Sequence, residues 1–441
     1  MGKNGQIKLN TTKKSSLQIL NNIAAFVLAF CCLTPTFGFK TYLVLIAIAV
    51  WGGSAMFGLY GTAVLNSKRV YMYFGMLGWL LITLAVIIFR PELNAGGLYT
   101  GLLTSVICIE TLRNNLINKD FSAIKWLAFF SLILYVVVLG RALFLGGTDS
   151  NVYRLNKASG MMNESIGNFG LYYLVVFTLP LGLFFTFKKK IKHRWLVIAL
   201  AVVSLLLLLF AQYTIAFIVE IALLLIWLVI KQTKGNRSMM LMWLILIGIF
   251  IMTLVLFSDI ILIKPLEALA NSISQDSPMR ERLMDVVKTL QGDVSEDNLA
   301  VDRLSRYGDS LKSFFQHPIL GGNIYRLLGL TNGDVASKAG HNSVIELFNQ
   351  YGLLFSVPYY LLMITQFKRL LIVWKKVDFG VYSLLTAIVV AYFILGLLNP
   401  IFNLFAMTWL LFNALLVAPL IFSKRDIFEA FCGEFALRND L

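Results

Sequence analysis

The chain has 441 residues, of which 58% are hydrophobic and only 14% are charged, and its mean hydropathy is +0.78. This composition excludes a soluble globular protein, because no single core could remove so much apolar surface from water. The formal net charge of +15 is then better explained by basic loops at a membrane surface than by a nucleic-acid partner.

Apolar runs along the chain predict an all-α, polytopic membrane protein with about twelve transmembrane helices, since each run is long enough to cross a hydrocarbon core of roughly 30 Å. The predicted spans are residues 17–37, 41–64, 70–89, 98–112, 124–145, 167–187, 195–211, 213–230, 239–261, 342–365, 380–398 and 401–423.

The basic residues predict the orientation of these spans, because Lys and Arg in short loops accumulate on the cytoplasmic side. With both termini inside, 24 of the 38 basic residues are cytoplasmic and nine lie in the long polar insert. The five in short outside loops are Lys40, Arg90, Arg141, Arg154 and Lys157. The first apolar segment lacks a convincing cleavage site, so we expect it to remain as a signal anchor.

This topology divides the chain into four parts. Residues 1–261 contain the first nine spans, residues 262–341 form a large external loop with helices, residues 342–423 contain the last three spans, and residues 424–441 form a cytoplasmic tail. In the external loop, Ser277 followed by Pro278 predicts a helix start. A second helix is predicted from about Asp302 to Gln316.

The second loop helix has two distinct faces. We expect its apolar stripe to pack downward; the stripe consists of Leu304, Gly308, Leu311 and Phe315. Arg303, Arg306 and Ser310 share another face. Two guanidinium groups on one face suit a diphosphate, which Arg grips through paired hydrogen bonds. Pairing of these arginines with Asp302 or Asp309 would explain them equally well.

The segment GHNSVIELFNQYG begins the tenth predicted span. Ser343 and Glu346 have the spacing of a capping box, in which each side chain satisfies a backbone N–H group. His341 lies just before the first turn, where the helix dipole disfavours an imidazolium and keeps a histidine neutral and able to accept a proton. The alternative is that Asn342, Ser343 and Glu346 only start a helix.

Other polar residues give weaker signals. Glu220 is the clearest ionisable residue within a span, and it either functions directly or hydrogen-bonds between helices. Three histidines and four scattered cysteines predict neither a metal site nor an exported disulfide. We therefore expect no metal and no cofactor. No internal repeat of the kind found in many transporters is present.

Three segments together resemble the signature of the O-antigen ligase and Wzy polysaccharide polymerase superfamily. They are DRLSRYGDSLKSFFQHPILGGN, GHNSVIELFNQYGLL and, before an earlier span, YRLNKASGMMNESIGNFG. A large external loop between spans nine and ten is also similar to that family. Two positions depart from its pattern, since Asn323 and Phe355 stand where many members have a glycine. In this pattern His317 is interpreted as the start of a turn before Pro318.

The resemblance implies a GT-C-like glycosyltransferase that uses a lipid-diphosphate-linked donor without a metal and inverts the anomeric centre. Arg306 and His341 would be catalytic, with His341 orienting or deprotonating the acceptor hydroxyl. Arg154 and Arg303 would bind the donor diphosphate. Tyr307 and Asn342 would orient the substrate or His341, although packing and helix capping explain these two residues nearly as well.

The expected function is therefore polymerisation of undecaprenyl-diphosphate-linked oligosaccharide repeat units into capsular polysaccharide, exopolysaccharide or O-antigen. The expected location is the outer face of a bacterial plasma membrane, with a flippase and a chain-length regulator as pathway partners and the lipid-linked donor and acceptor as substrates. A ligase that transfers the glycan to another acceptor is the first alternative. A transporter of the lipid-linked sugar and a structural scaffold are further alternatives.

Overall fold

The structure is a computed structural model. It describes residues 16–33, 46, 47, 49–51, 78, 81, 88, 105–116 with gaps, 121–147, 170–188, 191–211, 214–246 with gaps, 263–275, 278–291, 299–327, 342–398 and 410–437. Across these residues 91% are helical and no strand occurs, which confirms the predicted all-α class.

The helices before the predicted external loop coincide closely with predicted spans. They are α1 (Ser16–Leu33), α2 (Phe121–Gly146), α3 (Gly170–Phe187), α4 (Arg194–Ala211) and α5 (Thr214–Thr233). Four helices follow within the loop: α6 (Lys264–Ser272), α7 (Pro278–Leu290), α8 (Leu299–Gln316) and α9 (Gly322–Leu327). Helix α7 begins at Pro278 as predicted, while Ser277 lies outside the described residues.

The last part of the chain is also helical. It comprises α10 (Ser343–Val377), α11 (Phe379–Leu398), a π-helical segment (Leu410–Leu415), α12 (Ala418–Phe422) and α13 (Arg425–Leu437). Helix α13 lies in the predicted tail and packs on α10, where the rings of Phe431 and Trp374 are 4.8 Å apart between centroids.

Three helices in the described part of the chain are long and apolar enough to cross a membrane: α2, residues Ala216–Thr233 of α5, and α11. Shorter apolar helices occupy Ser16–Leu28, Val175–Phe187, Arg194–Phe210 and Leu410–Phe422. The predicted spans at 41–64, 70–89, 98–112 and 239–261 lie wholly or largely outside the described residues. The structure thus has the helices of a membrane protein.

The apolar helices pack around a common core in which small residues allow close approach. Helix α3 packs on α4, and a Cβ atom at Gly182 would lie only 2.8 Å from the backbone nitrogen of Ala201. The two helices are also joined by a hydrogen bond of 2.8 Å between the buried hydroxyls of Thr178 and Ser204. Close backbone contact through small residues is typical of helix pairs in membranes.

Helix α10 differs from the continuous predicted span at residues 342–365. It extends to Val377, and it is broken at Gly352, whose φ of 63° and ψ of −177° are not helical. The break divides α10 into a short first part and a long second part. The second part packs against α11 and joins the predicted loop to the apolar core.

Candidate active site

Helix α8 carries the arginine positions of the predicted site, and it faces α10 with its serine side. Ser310 and Ser313 are the buried side chains, whereas Leu311 and Phe315 are 43% and 74% exposed. Gly308 is exposed as well. The stripe expected to pack downward is therefore not covered by other described helices at these three residues; the side chain of Leu304 is not among those described.

The buried side of α8 lies against the first part of α10, and the two helices run parallel. Ser310 Oγ donates a hydrogen bond of 2.7 Å to Glu346 Oε1. Four residues further along α8 and two further along α10, the rings of Phe314 and Phe348 are 5.9 Å apart between centroids. Equivalent turns of the two helices therefore lie side by side, and Glu346 explains why a serine faces inward.

The parallel direction indicates which part of α8 lies nearest the start of α10. Arg306 lies one turn before Ser310, and Asn342 lies one turn before Glu346. If the register of Ser310 and Glu346 holds for one more turn of each helix, the backbone positions of Arg306 and Asn342 come to a similar level. Arg303 lies about one turn earlier in α8. The arginine helix thus runs beside the helix start that directly follows His341.

Asn342 is the N-cap of α10. Its backbone is extended (φ −139°, ψ 112°), and its side-chain oxygen accepts hydrogen bonds from the backbone N–H groups of Val344 and Ile345 at 2.9 and 3.0 Å. The alternative that Asn342 starts the helix is thus observed. The predicted capping box is wrong, because Ser343 is the first helical residue and not the cap.

Glu346 turns away from the helix start to hold α8. Its side chain is only 3% exposed, and its other oxygen, Oε2, accepts a hydrogen bond of 2.8 Å from Gln350 Nε2. Among the side chains that the structure describes, no Lys or Arg forms an ion pair with Glu346. Two neutral donors therefore compensate a buried carboxyl group whose desolvation is costly.

The turn after α8 begins at His317, as the sequence predicts. The backbone N–H of His317 donates to the carbonyl oxygens of Ser313 and Phe314, and its own carbonyl oxygen accepts from Gly321 at 3.1 Å. The imidazole ring stacks on Tyr325, with 4.2 Å between ring centroids. His317 thus has a structural role at the end of α8.

This turn docks into the break of α10. The N–H groups of Leu353 and Leu354 donate to the carbonyl oxygens of Pro318 and Ile319 at 2.8 and 3.1 Å. The turn therefore caps the second part of α10 with backbone groups, since the first N–H groups of a helix have no partner within it. The sequence pattern did not predict this contact, although Gly321 lies in DRLSRYGDSLKSFFQHPILGGN and Gly352 in GHNSVIELFNQYGLL.

The glycines at the contact are required by close backbone approach. A Cβ atom at Gly352 would lie 2.3 Å from the Ile319 carbonyl oxygen, and one at Gly321 would lie 2.4 Å from the Gln350 carbonyl oxygen. Phe355, one of the two departures from the family pattern, is buried against the ring of Tyr351 at 5.5 Å. The aromatic ring thus fills core space beside the break. The side chain of Asn323 lies outside the described set.

The remaining predicted site residues are only partly described. Tyr307 is half-buried in α8. Arg154 and His341 lie outside the described residues, and Arg303 and Arg306 are described as helical backbone only. Within the described part, no group of three or more His, Cys, Asp or Glu side chains could hold a metal ion.

Glu220 is buried in α5 with 5% of its surface exposed. Neither of its carboxyl oxygens has a hydrogen-bond partner among the described residues. One explanation of Glu220 from the sequence is a hydrogen bond between helices. Among the described residues, Glu220 does not form such a bond.

Neither models of protein families nor curated proteins match this chain. The described residues fit an α-helical membrane protein. In it, α8, a loop helix with two arginines, packs beside the first part of α10.

Proposed function

We propose that this protein is a membrane glycosyltransferase of the Wzy type, which polymerises undecaprenyl-diphosphate-linked oligosaccharide repeat units at the outer face of the plasma membrane. The observation that supports this proposal best is the parallel pairing of α8 and α10 through Ser310 and Glu346. With this pairing, residues of two distant motifs, Arg306 in α8 and His341 before α10, could serve one reaction centre.

The chemistry assigned to these residues is an inverting displacement. The acceptor hydroxyl oxygen attacks the anomeric carbon, the bond from that carbon to the diphosphate oxygen breaks, and the electron pair leaves with undecaprenyl diphosphate. His341 accepts the hydroxyl proton, and Arg154, Arg303 and Arg306 stabilise the negative charge that develops on the leaving group. A guanidinium fork suits two phosphate oxygens at once.

The role of His341 is tested with purified enzyme, lipid-linked repeat units and excess EDTA, with the ladder of product lengths as the readout. Loss of a general base reduces the rate by about 10²- to 10⁴-fold, so His341→Ala should remove long polymer. The matched control is His317→Ala, because His317 belongs to the turn after α8. A normal ladder from His341→Ala would overturn the catalytic assignment, and a ladder lost on EDTA addition would overturn the metal-independent mechanism.

The role of the arginines is tested by a change that keeps the charge. Arg306→Lys should lower polymer formation severely at normal expression, because an ammonium group lacks the fork of a guanidinium. Arg154→Ala and Arg303→Ala should also lower it. Full polymer formation by Arg306→Ala would remove Arg306 from the proposed diphosphate site.

A ligase is the alternative that shares this chemistry. It would join the same donor to a different acceptor and would give a single transfer instead of a ladder. A transporter would give no covalent product at all. The predicted orientation is tested by impermeant thiol labelling of Ser295→Cys, which should react from outside, and of Ser238→Cys, which should be protected.

A further inference from the structure

Helix α8 has three chemically different sides. The first packs on α10 through Ser310 and Ser313. The second is apolar and exposed, and it includes Leu311 and Phe315, which lie one turn apart. The third is polar and exposed, and it consists of Asp309, Lys312 and Gln316. At 100° per residue these sets occupy successive thirds of the helix circumference.

The exposed apolar side continues beyond the end of α8. Ile319 in the following turn is 62% exposed, and its carbonyl oxygen accepts the hydrogen bond from Leu354 of α10. From that point α10 exposes a stripe of large apolar side chains: Leu353, Leu354, Val357, Leu361 and Ile364. We call these exposed apolar side chains of α8, the turn and α10 together the α8–α10 apolar strip.

The shape of this strip indicates what covers it. Along α10 it extends for about 16 Å parallel to the helix axis, and α10 packs against α11, which is long and apolar enough to span a membrane. A stripe of aliphatic side chains on a helix of such a bundle is the surface that acyl chains cover. The part on α8 is linked to it through the turn at Ile319, whose backbone is hydrogen-bonded to α10, and it lies beside a polar side with Lys312.

We propose that the membrane lipid itself covers the α8–α10 apolar strip, so that α8 lies in the interfacial layer of the bilayer. Leu311, Phe315 and Ile319 contact acyl chains, and Asp309, Lys312 and Gln316 face the headgroups and water. A helix with one apolar side and one charged side is suited to this position. The aliphatic stem of Lys312 can cover apolar surface while its ammonium group reaches lipid phosphates.

The interfacial position of α8 is independent of the proposed function. The arginine positions lie in α8 itself, so they would be held at the depth of lipid headgroups. A diphosphate carried by a membrane lipid could then reach them from the plane of the bilayer.

Photocrosslinking of the full-length protein in phospholipid nanodiscs tests the proposal. The variant is Phe315→p-benzoylphenylalanine, which replaces one aromatic side chain by a longer one at an exposed position. The matched control is Phe314→p-benzoylphenylalanine, since the neighbouring Phe314 packs toward Phe348. A second control is Asp309→p-benzoylphenylalanine on the polar side. Irradiation should add the mass of one phospholipid to the Phe315 variant at a severalfold higher yield than to either control.

Three results would overturn the proposal: no lipid adduct at position 315, an adduct to another segment of the chain or to a second copy, or equal lipid yields at positions 315 and 309. If the Phe315 variant fails to fold, Leu311→p-benzoylphenylalanine probes the same strip and must give the same lipid adduct. Loss of glycosyltransferase activity has no bearing on this readout, so the two proposals fail separately.

Discussion

The contact between α3 and α4 and the contact between α8 and α10 each include a hydrogen bond between buried polar side chains, but the two bonds are of different kinds. Thr178 and Ser204 join α3 to α4 as two neutral hydroxyls. Ser310 joins α8 to a buried carboxyl group, that of Glu346. A hydroxyl can rotate to find another partner. Removing a donor from a buried carboxyl group costs more stability, because the group is left with an unsatisfied oxygen.

The two contacts also differ in their backbones. Gly182 lets α3 and α4 approach closely without a positive φ. Gly352 interrupts its helix at a positive φ so that a turn can enter. The contact of the loop thus depends on a special backbone conformation and a buried carboxyl group, whereas the contact between α3 and α4 requires neither. Substitutions at the α8–α10 contact should accordingly have larger effects.

The largest expected effect is that of Gly352→Ala. Its φ of 63° with ψ of −177° is accessible essentially to glycine alone, and the added Cβ would lie 2.3 Å from a carbonyl oxygen of the docked turn. We expect a loss of about 3 kcal/mol or more, combining backbone strain with the lost capping bonds. The measurement is unfolding in mixed micelles by SDS titration, followed by tryptophan fluorescence.

The matched control for this prediction is Gly308→Ala in α8. A Cβ atom there would meet nothing within 4 Å, and alanine favours helix interiors over glycine by about 1 kcal/mol. This control should therefore be neutral or slightly stabilising. Equal midpoints for Gly352→Ala and the unchanged protein would show that the docked turn contributes little.

The second prediction concerns the bond between Ser310 and Glu346. Ser310→Ala leaves a buried carboxyl group with one donor fewer, which should cost about 1–3 kcal/mol. A double-mutant cycle with Glu346→Ala isolates the pair, and we expect a coupling energy of at least about 1 kcal/mol. The control is Ser272→Ala on an exposed surface. Additive single effects would show that the two helices are held by other contacts.

The third prediction is the corresponding cycle within the apolar helices. Thr178→Val and Ser204→Ala remove one hydroxyl each, and side-chain hydrogen bonds between helices in membranes have an average coupling of about 0.6 kcal/mol. The coupling of Thr178 with Ser204 should therefore be smaller than that of Ser310 with Glu346. The reverse order would contradict the contrast between the two contacts.

Local sequence signals predicted the local structure well. Pro278 starts α7, the end of α8 lies at Gln316 as expected, and the polar residues at Asn342 begin α10. Each of these features depends on neighbouring residues, whose propensities and capping groups can be recognised in the sequence.

The misses arise from contacts between distant residues. The spacing of Ser343 and Glu346 matched a capping box. However, the side chain of Asn342 caps the helix by accepting from the N–H groups at its start, and Glu346 accepts a hydrogen bond from Ser310 instead. That bond turns a serine inward and leaves Phe315 outside. The break at Gly352 likewise requires the turn at Pro318 and Ile319, which lies more than thirty residues earlier in the sequence.

The smallest effect is expected for an ion pair at the surface of α13. Arg425 Nε and Glu429 Oε1 are 2.7 Å apart, but their side chains are 87% and 53% exposed. Solvent screening leaves such a pair, four residues apart in a helix, about 0.3–0.5 kcal/mol. Glu429→Gln should therefore shift the unfolding midpoint little, and the shift should vanish at high salt, because ions screen exposed charges. Ser310→Ala should keep its effect in the same salt, because Glu346 is buried. A salt-independent loss for Glu429→Gln as large as that of Ser310→Ala would show that exposure does not separate the two kinds of contact.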